Sequence, residues 1–172
     1  MSVLLRSFGN ELHVRDEGDG RTLTGLCVPY DVEVRIGRYV ESFAAGAFDG
    51  TDPAQVPLTA THPRDGATLP IGRALALRDL PDGLWGDFRV SKTSAGDDVL
   101  ELVRDGAVTG LSVGFVPVTD RGIEAGGRVV RERATLDHVA VVRVPAYTTA
   151  RIAALRHAHQ PDGPRLRIAR LR

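Results

Sequence analysis

Apolar and polar positions alternate along much of this chain, and a period of two marks strands with one buried face. Glu11 to Arg15 and Arg21 to Val28 both alternate, with the turn residues Glu17-Gly18-Asp19-Gly20 between them. The pair reads as a β-hairpin. Val56 to Thr61 is a short strand that stops at His62-Pro63, because proline cannot donate to a central ladder. Ile71 to Leu77 and Leu84 to Val90 flank Asp79-Leu80-Pro81-Asp82-Gly83, a second hairpin. Leu111 to Val118 and Arg128 to Val144 flank Ala125-Gly126-Gly127. The second of these stretches is long enough to call for a bend or bulge.

The period changes at a few places. Ala95 to Asp105 gathers Val99, Leu100, Leu102 and Val103 on one broad face, which predicts a helix. Ser94 is its expected N-cap, Asp97 and Asp98 favour its positive end, and Gly106 ends it. Ser42 to Gly50 reads as a shorter helix between a capping serine and a terminating glycine. Beyond Pro145 the pattern fades, apart from a short helix over Thr149 to His157. No repeat and no second domain is evident. Strands in hairpins with one inserted helix predict a mainly β fold with peripheral helices, an antiparallel β-barrel or sandwich.

Composition refines this picture. The chain has 172 residues, enough for one domain with its own core. Aromatic residues make up only 5%, so Val, Leu, Ala and Ile must build that core. Net charge is zero, which provides no global field to draw the protein to nucleic acid or membrane. Residues 151–172, however, hold six arginines against one acid and carry +5, leaving −5 on residues 1–150. The expected organisation is a domain over 1–150 followed by a basic, mobile tail over 151–172. Cys27 is the one cysteine, so an intrachain disulfide and a thiolate zinc site are both excluded. In the run Leu26-Cys27-Val28 it reads as a small buried hydrophobe. The N-terminus lacks a signal-peptide pattern and no apolar run approaches transmembrane length. The expected setting is the cytoplasm.

Two residues invite chemistry. In Gly110-Leu111-Ser112-Val113-Gly114-Phe115, strand parity turns Leu111, Val113 and Phe115 to the core and Ser112 with Gly114 to the other face. A small polar face beside a residue with no side chain suits a nucleophile that a peptide must approach closely. The plain structural alternative is a serine beside glycines that relieve crowding. His62, at a strand end, carries a side chain whose neutral form can take a serine proton near neutral pH; its alternative is a surface histidine at a loop start. His138 lies in the apolar run Leu136 to Val142, where a lone histidine is most simply a hydrogen-bonded structural residue. No Walker or dinucleotide loop is present, and no histidine pair has metal-ligand spacing on one helix. No cofactor or metal is therefore expected, although His62, Asp65 and His138 could converge on a metal as a hydrolase site.

Several segments taken together resemble one family. Glu41-Ser42-Phe43 through Gly46-Ala47-Phe48 is similar to the E-x-hydrophobic-x-x-G-A-F opening of caudovirus prohead proteases. A histidine after a short apolar strand follows at Thr61-His62, then Pro70-Ile71-Gly72-Arg73, a hallmark of that family. Gly83-Leu84, Lys92-Thr93, Asp105-Gly106, the Ser112 motif, Leu136 to Val142 and Pro145-Ala146 continue in the family's order. The resemblance spans about residues 20 to 150. One departure is Thr61-His62-Pro63, where many relatives have Asn-His-Asp.

The resemblance implies a serine endopeptidase that cleaves scaffold, or the scaffold-like domain of the major capsid protein, during phage prohead assembly and maturation, with self-processing. It implies a barrel similar to the herpesvirus assembly proteases, which use a Ser-His-His set. Ser112 would be the nucleophile, His62 the general base and His138 the third member, with Asp137 or Asp65 as alternatives for orienting His62. Strand parity supports His138 by placing Leu136, His138, Ala140 and Val142 on one face and Asp137 on the other. Arg143 is a candidate to stabilise the oxyanion. The implied partners are the capsid protein precursor and scaffold at the interior of the prohead shell, with no membrane or specific nucleic acid, and with a homodimer left open. The setting would be the host cytoplasm, inside the assembling prohead of a phage, prophage or gene-transfer particle. A non-catalytic capsid-assembly or scaffold-binding barrel of the same ancestry is the competing reading.

Overall fold

A computed structural model describes residues 3–9, 12–15, 18–62, 68–122 and 126–143 of the chain. The alternating stretches become strands: β1 (Leu4–Gly9), β2 (Leu12–Arg15), β3 (Thr22–Pro29), β4 (Val34–Ile36), β5 (Tyr39–Phe43), β6 (Pro57–Thr59), β7 (Pro70–Leu80), β8 (Gly83–Val90), β9 (Gly110–Gly122) and β10 (Arg128–Val142). They form one curled sheet, a half-barrel, in the order β1-β9-β10-β6-β7-β8-β3-β2, with β5 also paired to β10 and β4 to β5. Pairing is antiparallel except along β10, which runs parallel to both β5 and β6. The expected hairpins β2–β3, β7–β8 and β9–β10 are all present.

One face of the sheet carries the core. Leu23, Leu58, Phe88, Val113, Phe115 and Val139 have no exposed surface, and burying each such side chain stabilises the fold by about 1.5–3 kcal/mol. Phe115 meets Phe43 edge-on at 5.0 Å between centroids, and Phe43 stacks with Phe48 at 5.5 Å. These three rings supply bulk that an aromatic-poor chain otherwise lacks. The helix α1 (Ser94–Arg104) buries Gly96, Val99, Leu100 and Val103 and leaves Leu102 partly in solvent. Cys27 is wholly buried, and burial pushes its thiol well above the usual range.

The structure corrects three expectations. Ser42 to Gly50 is not a helix: Ser42 lies in β5, opposite Val130 of β10. The chain after it folds into successive tight turns, with Ala47 N donating to Ala44 O, Asp49 N to Gly46 O and Thr51 N to Phe48 O. Gly46 and Gly50 adopt φ of +77° and +81°, which breaks any helical run. The N-cap of α1 is Thr93, whose hydroxyl accepts from Gly96 N at 3.2 Å, rather than Ser94. The face assignment along β10 also changes. Leu136 pairs with Phe115, but His138 pairs with Gly114, its immediate neighbour. Asp137 is the extra residue of a bulge, so Leu136 and His138 face opposite sides of the sheet. The expected helix over Thr149 to His157, the tail over 151–172 and Asp65 lie outside the described residues.

A buried ionic cluster joins four strands. Glu41 of β5 accepts from Arg6 of β1 through both oxygens, one at 3.0 Å, and from Arg131 Nε of β10 at 2.7 Å. Arg131 also donates to Asp120 Oδ2 of β9 at 2.5 Å. Arg6, Glu41 and Arg131 are each under a tenth exposed, and charge there is tolerable only because it is paired. The Arg6 guanidinium further bonds the Tyr39 hydroxyl at 3.1 Å and sits 5.6 Å from the centre of the Phe115 ring.

Candidate active site

The Ser112 strand follows the parity that its sequence predicts. Leu111, Val113 and Phe115 enter the core, and Ser112 with Gly114 occupies the reverse face of β9. Across the ladder Ser112 opposes Ala140 and Gly114 opposes His138. Cross-strand partners share a face, so His138 stands on the same side as Ser112. An added Cβ at Gly114 would fall 2.2 Å from Cε1 of the His138 ring. Glycine is required here to seat an imidazole, a tighter demand than room for an approaching peptide.

His62 arrives from another direction. β6 runs parallel to β10, with Leu58 beside Val139 and Thr59 beside Ala140. Thr59 Oγ1 donates to Val139 O at 3.4 Å. Three residues later the chain carries His62 over the Ser112 face. His62 Nε2 lies 2.5 Å from Ser112 Oγ, and its Nδ1 lies 2.8 Å from His138 Nε2. The two imidazoles meet edge-on, 5.1 Å between centroids at 70°. His138 Nδ1 in turn lies 2.8 Å from Asp137 Oδ2. Four side chains named from the sequence thus stand in one hydrogen-bonded series, Ser112–His62–His138–Asp137. The expectation that Asp137 faces away from this cluster fails because the bulge swings it beside His138.

The series has the elements that nucleophilic catalysis requires: a hydroxyl, a base in contact with it and a group that orients the base. Burial, and secondarily the neighbouring His138, lower the His62 pKa from 6.5. His62 is therefore neutral at neutral pH and able to accept a proton. The Ser112 hydroxyl also donates to the backbone carbonyl of Arg6, at 2.9 Å, on the adjacent strand β1. One hydroxyl proton faces two acceptors. β1 is the edge strand beside β9, and the serine has an exposed fraction of 0%.

Arg143 is exposed at the end of β10, and its carbonyl accepts from Thr109 Oγ1 at 3.2 Å. Two surface grooves lie elsewhere. One of about 480 Å³ is bounded by Pro57, Pro70, Gly72 and Arg73, and one of about 300 Å³ by Asp49, Asp52, Val118 and Arg133. Ser112, His62 and His138 line neither. Among the described residues no group of three His, Cys, Asp or Glu side chains is arranged to hold a metal ion, and no helix is long and apolar enough to cross a membrane.

The mainly β half-barrel is the class of fold to which the comparisons point. The family model for the caudovirus prohead serine protease matches residues 10–162, and the chain belongs to that family. Among solved structures it is similar to the capsid assembly protease of bacteriophage T4, gp21, with a TM-score of 0.58 and 14% identity over 83% of this chain and 98% of that one. No curated protein matches the sequence significantly.

Proposed function

We propose that Ser112 is the nucleophile, His62 the general base and His138 the residue that orients it, in a serine endopeptidase acting on capsid precursor or scaffold. The observation that carries this is the contact of Ser112 Oγ with His62 Nε2 at 2.5 Å, backed by His62 Nδ1 on His138 Nε2 at 2.8 Å. As Oγ attacks the scissile carbonyl, its proton passes to His62 Nε2. The Oγ–C bond forms, the C–N bond breaks, and His62 returns the proton to the departing amine. Water, deprotonated by the same imidazole, then hydrolyses the acyl-enzyme. A neutral histidine in third place orients the base without a full negative charge, so its contribution is milder than that of an aspartate.

Membership of the prohead protease family and likeness to a capsid assembly protease support a role inside the prohead. Trimming of the basic segment after about Arg151 belongs to the same reading. The buried serine favours a second reading, a non-catalytic assembly barrel. Under the first reading a substrate strand must displace Arg6 O, and β1 as an edge strand is the element that can yield. The test is co-expression with the capsid precursor. The native chain should process it, whereas Ser112→Ala, folded to the same thermal midpoint, should leave it intact. Equal processing by both would overturn the nucleophile.

A further inference from the structure

We propose that Asp137 is a positioning residue that sets the tautomers of both histidines and so directs the Ser112 proton to His62. This rests on the proposed roles of Ser112 and His62 and extends them by one residue. Neighbouring side chains on a regular strand point to opposite faces. Asp137 and His138 nevertheless meet, Oδ2 to Nδ1 at 2.8 Å, because Asp137 is the unpaired residue of the bulge between Leu136 and His138. Bulges re-aim side chains in this way.

The consequences follow from donor and acceptor chemistry. An ionised carboxylate only accepts, so His138 Nδ1 carries the hydrogen. With His138 neutral, that is its one N–H, and its Nε2 is an acceptor. It faces His62 Nδ1 at 2.8 Å, which must therefore donate. His62 Nε2 is then bare, 2.5 Å from Ser112 Oγ. Each link leaves one arrangement, and the last is the form of His62 that can take the serine proton. Without the carboxylate, a reversed series is available, with His62 Nε2–H donating to Ser112 Oγ and the hydroxyl donating to Arg6 O at 2.9 Å. In that arrangement the base is blocked.

His138 is 4% exposed, and its ring fills the space that a Cβ at Gly114 would take. The Asp137 side chain is half exposed. Solvent screens its charge, so the orienting hydrogen bond is the larger part of its effect. The proton stays on His138 throughout.

The experiment uses the full chain in four forms: native, Asp137→Asn, Asp137→Glu and Ser112→Ala. Nitrogen-15 spectra of the histidine rings report which nitrogen carries hydrogen, and the rate of labelling by a fluorophosphonate reports nucleophilicity. The native protein and Ser112→Ala should both show His138 protonated at Nδ1 and bare at Nε2. Asp137→Asn, whose amide can donate to Nδ1, should reverse that pattern and slow labelling about tenfold to hundredfold, by analogy with the loss when the carboxylate partner of a metal-binding histidine is removed. Asp137→Glu should keep the native pattern and label faster than Asp137→Asn. A native His138 bare at Nδ1, or labelling of Asp137→Asn within twofold of native, overturns the proposal. Absence of labelling at Ser112 in the native chain would instead overturn the nucleophile, and the ring spectra would still decide the Asp137 link.

Discussion

Gly114 shows how one missing side chain positions the others. Its absent Cβ leaves the space that the His138 ring fills, at a distance no real Cβ tolerates. Gly114→Ala should therefore cost about 1–3 kcal/mol as an overpacked site and push His138 from His62. Labelling of Ser112 should fall toward the roughly 10⁴-fold loss that a wrongly held base produces in a serine triad. A folded Gly114→Ala protein labelled at the native rate would refute the link between this glycine and the base. His62 carries a second expectation at this scale. It accepts a proton only when neutral, and burial lowers its pKa from 6.5. The labelling rate should thus rise with pH and reach half its plateau below 6.5, which a pH series measures directly; a midpoint above 6.5 would contradict the buried-base geometry. Residue type and strand position marked Ser112 and His62 as candidates beside plain structural alternatives, and the family resemblance added His138. Asp137 was placed on the opposite face, because parity counts residues and a bulge adds one.

Among the elements, β1 bears on function most and was least visible in the sequence. Leu4 to Gly9 shows no clean alternation, because Arg6 is the residue that turns inward. It can do so only because Glu41 awaits it on a strand 35 positions later. The β4–β5 hairpin was hidden similarly: its strands are three and five residues long, joined through Gly37 at φ +56°. Long stretches such as β7, β8 and the heart of α1 had enough period to be read. The ionic cluster around Glu41 holds β1, β5 and β10 together. Glu41→Gln should lower stability by about 3–5 kcal/mol, since two buried guanidinium groups lose their shared carboxylate. Chemical denaturation of the two proteins measures this, and a loss under about 1 kcal/mol would mean that the cluster does not anchor β1.

For the whole molecule, the curl of the sheet brings residues from distant parts of the chain to one place. β9 supplies the hydroxyl, β10 and the chain just after its parallel neighbour β6 supply the two imidazoles, and the edge strand β1 offers Arg6 O to the serine. The mainly β character and the hairpins were legible because local alternation encodes them. The parallel pairing of β6 with β10 was not, since it joins positions 80 residues apart and no local pattern records such a partner. That pairing is what delivers His62 to Ser112. In the proposed mechanism, this meeting makes Ser112 the reactive serine. The most direct test is to treat the full chain with a fluorophosphonate and locate the adduct by peptide mass mapping. Modification is expected at Ser112 and lost in His62→Ala. An adduct at another serine, or labelling of Ser112 that persists unchanged in His62→Ala, would contradict it.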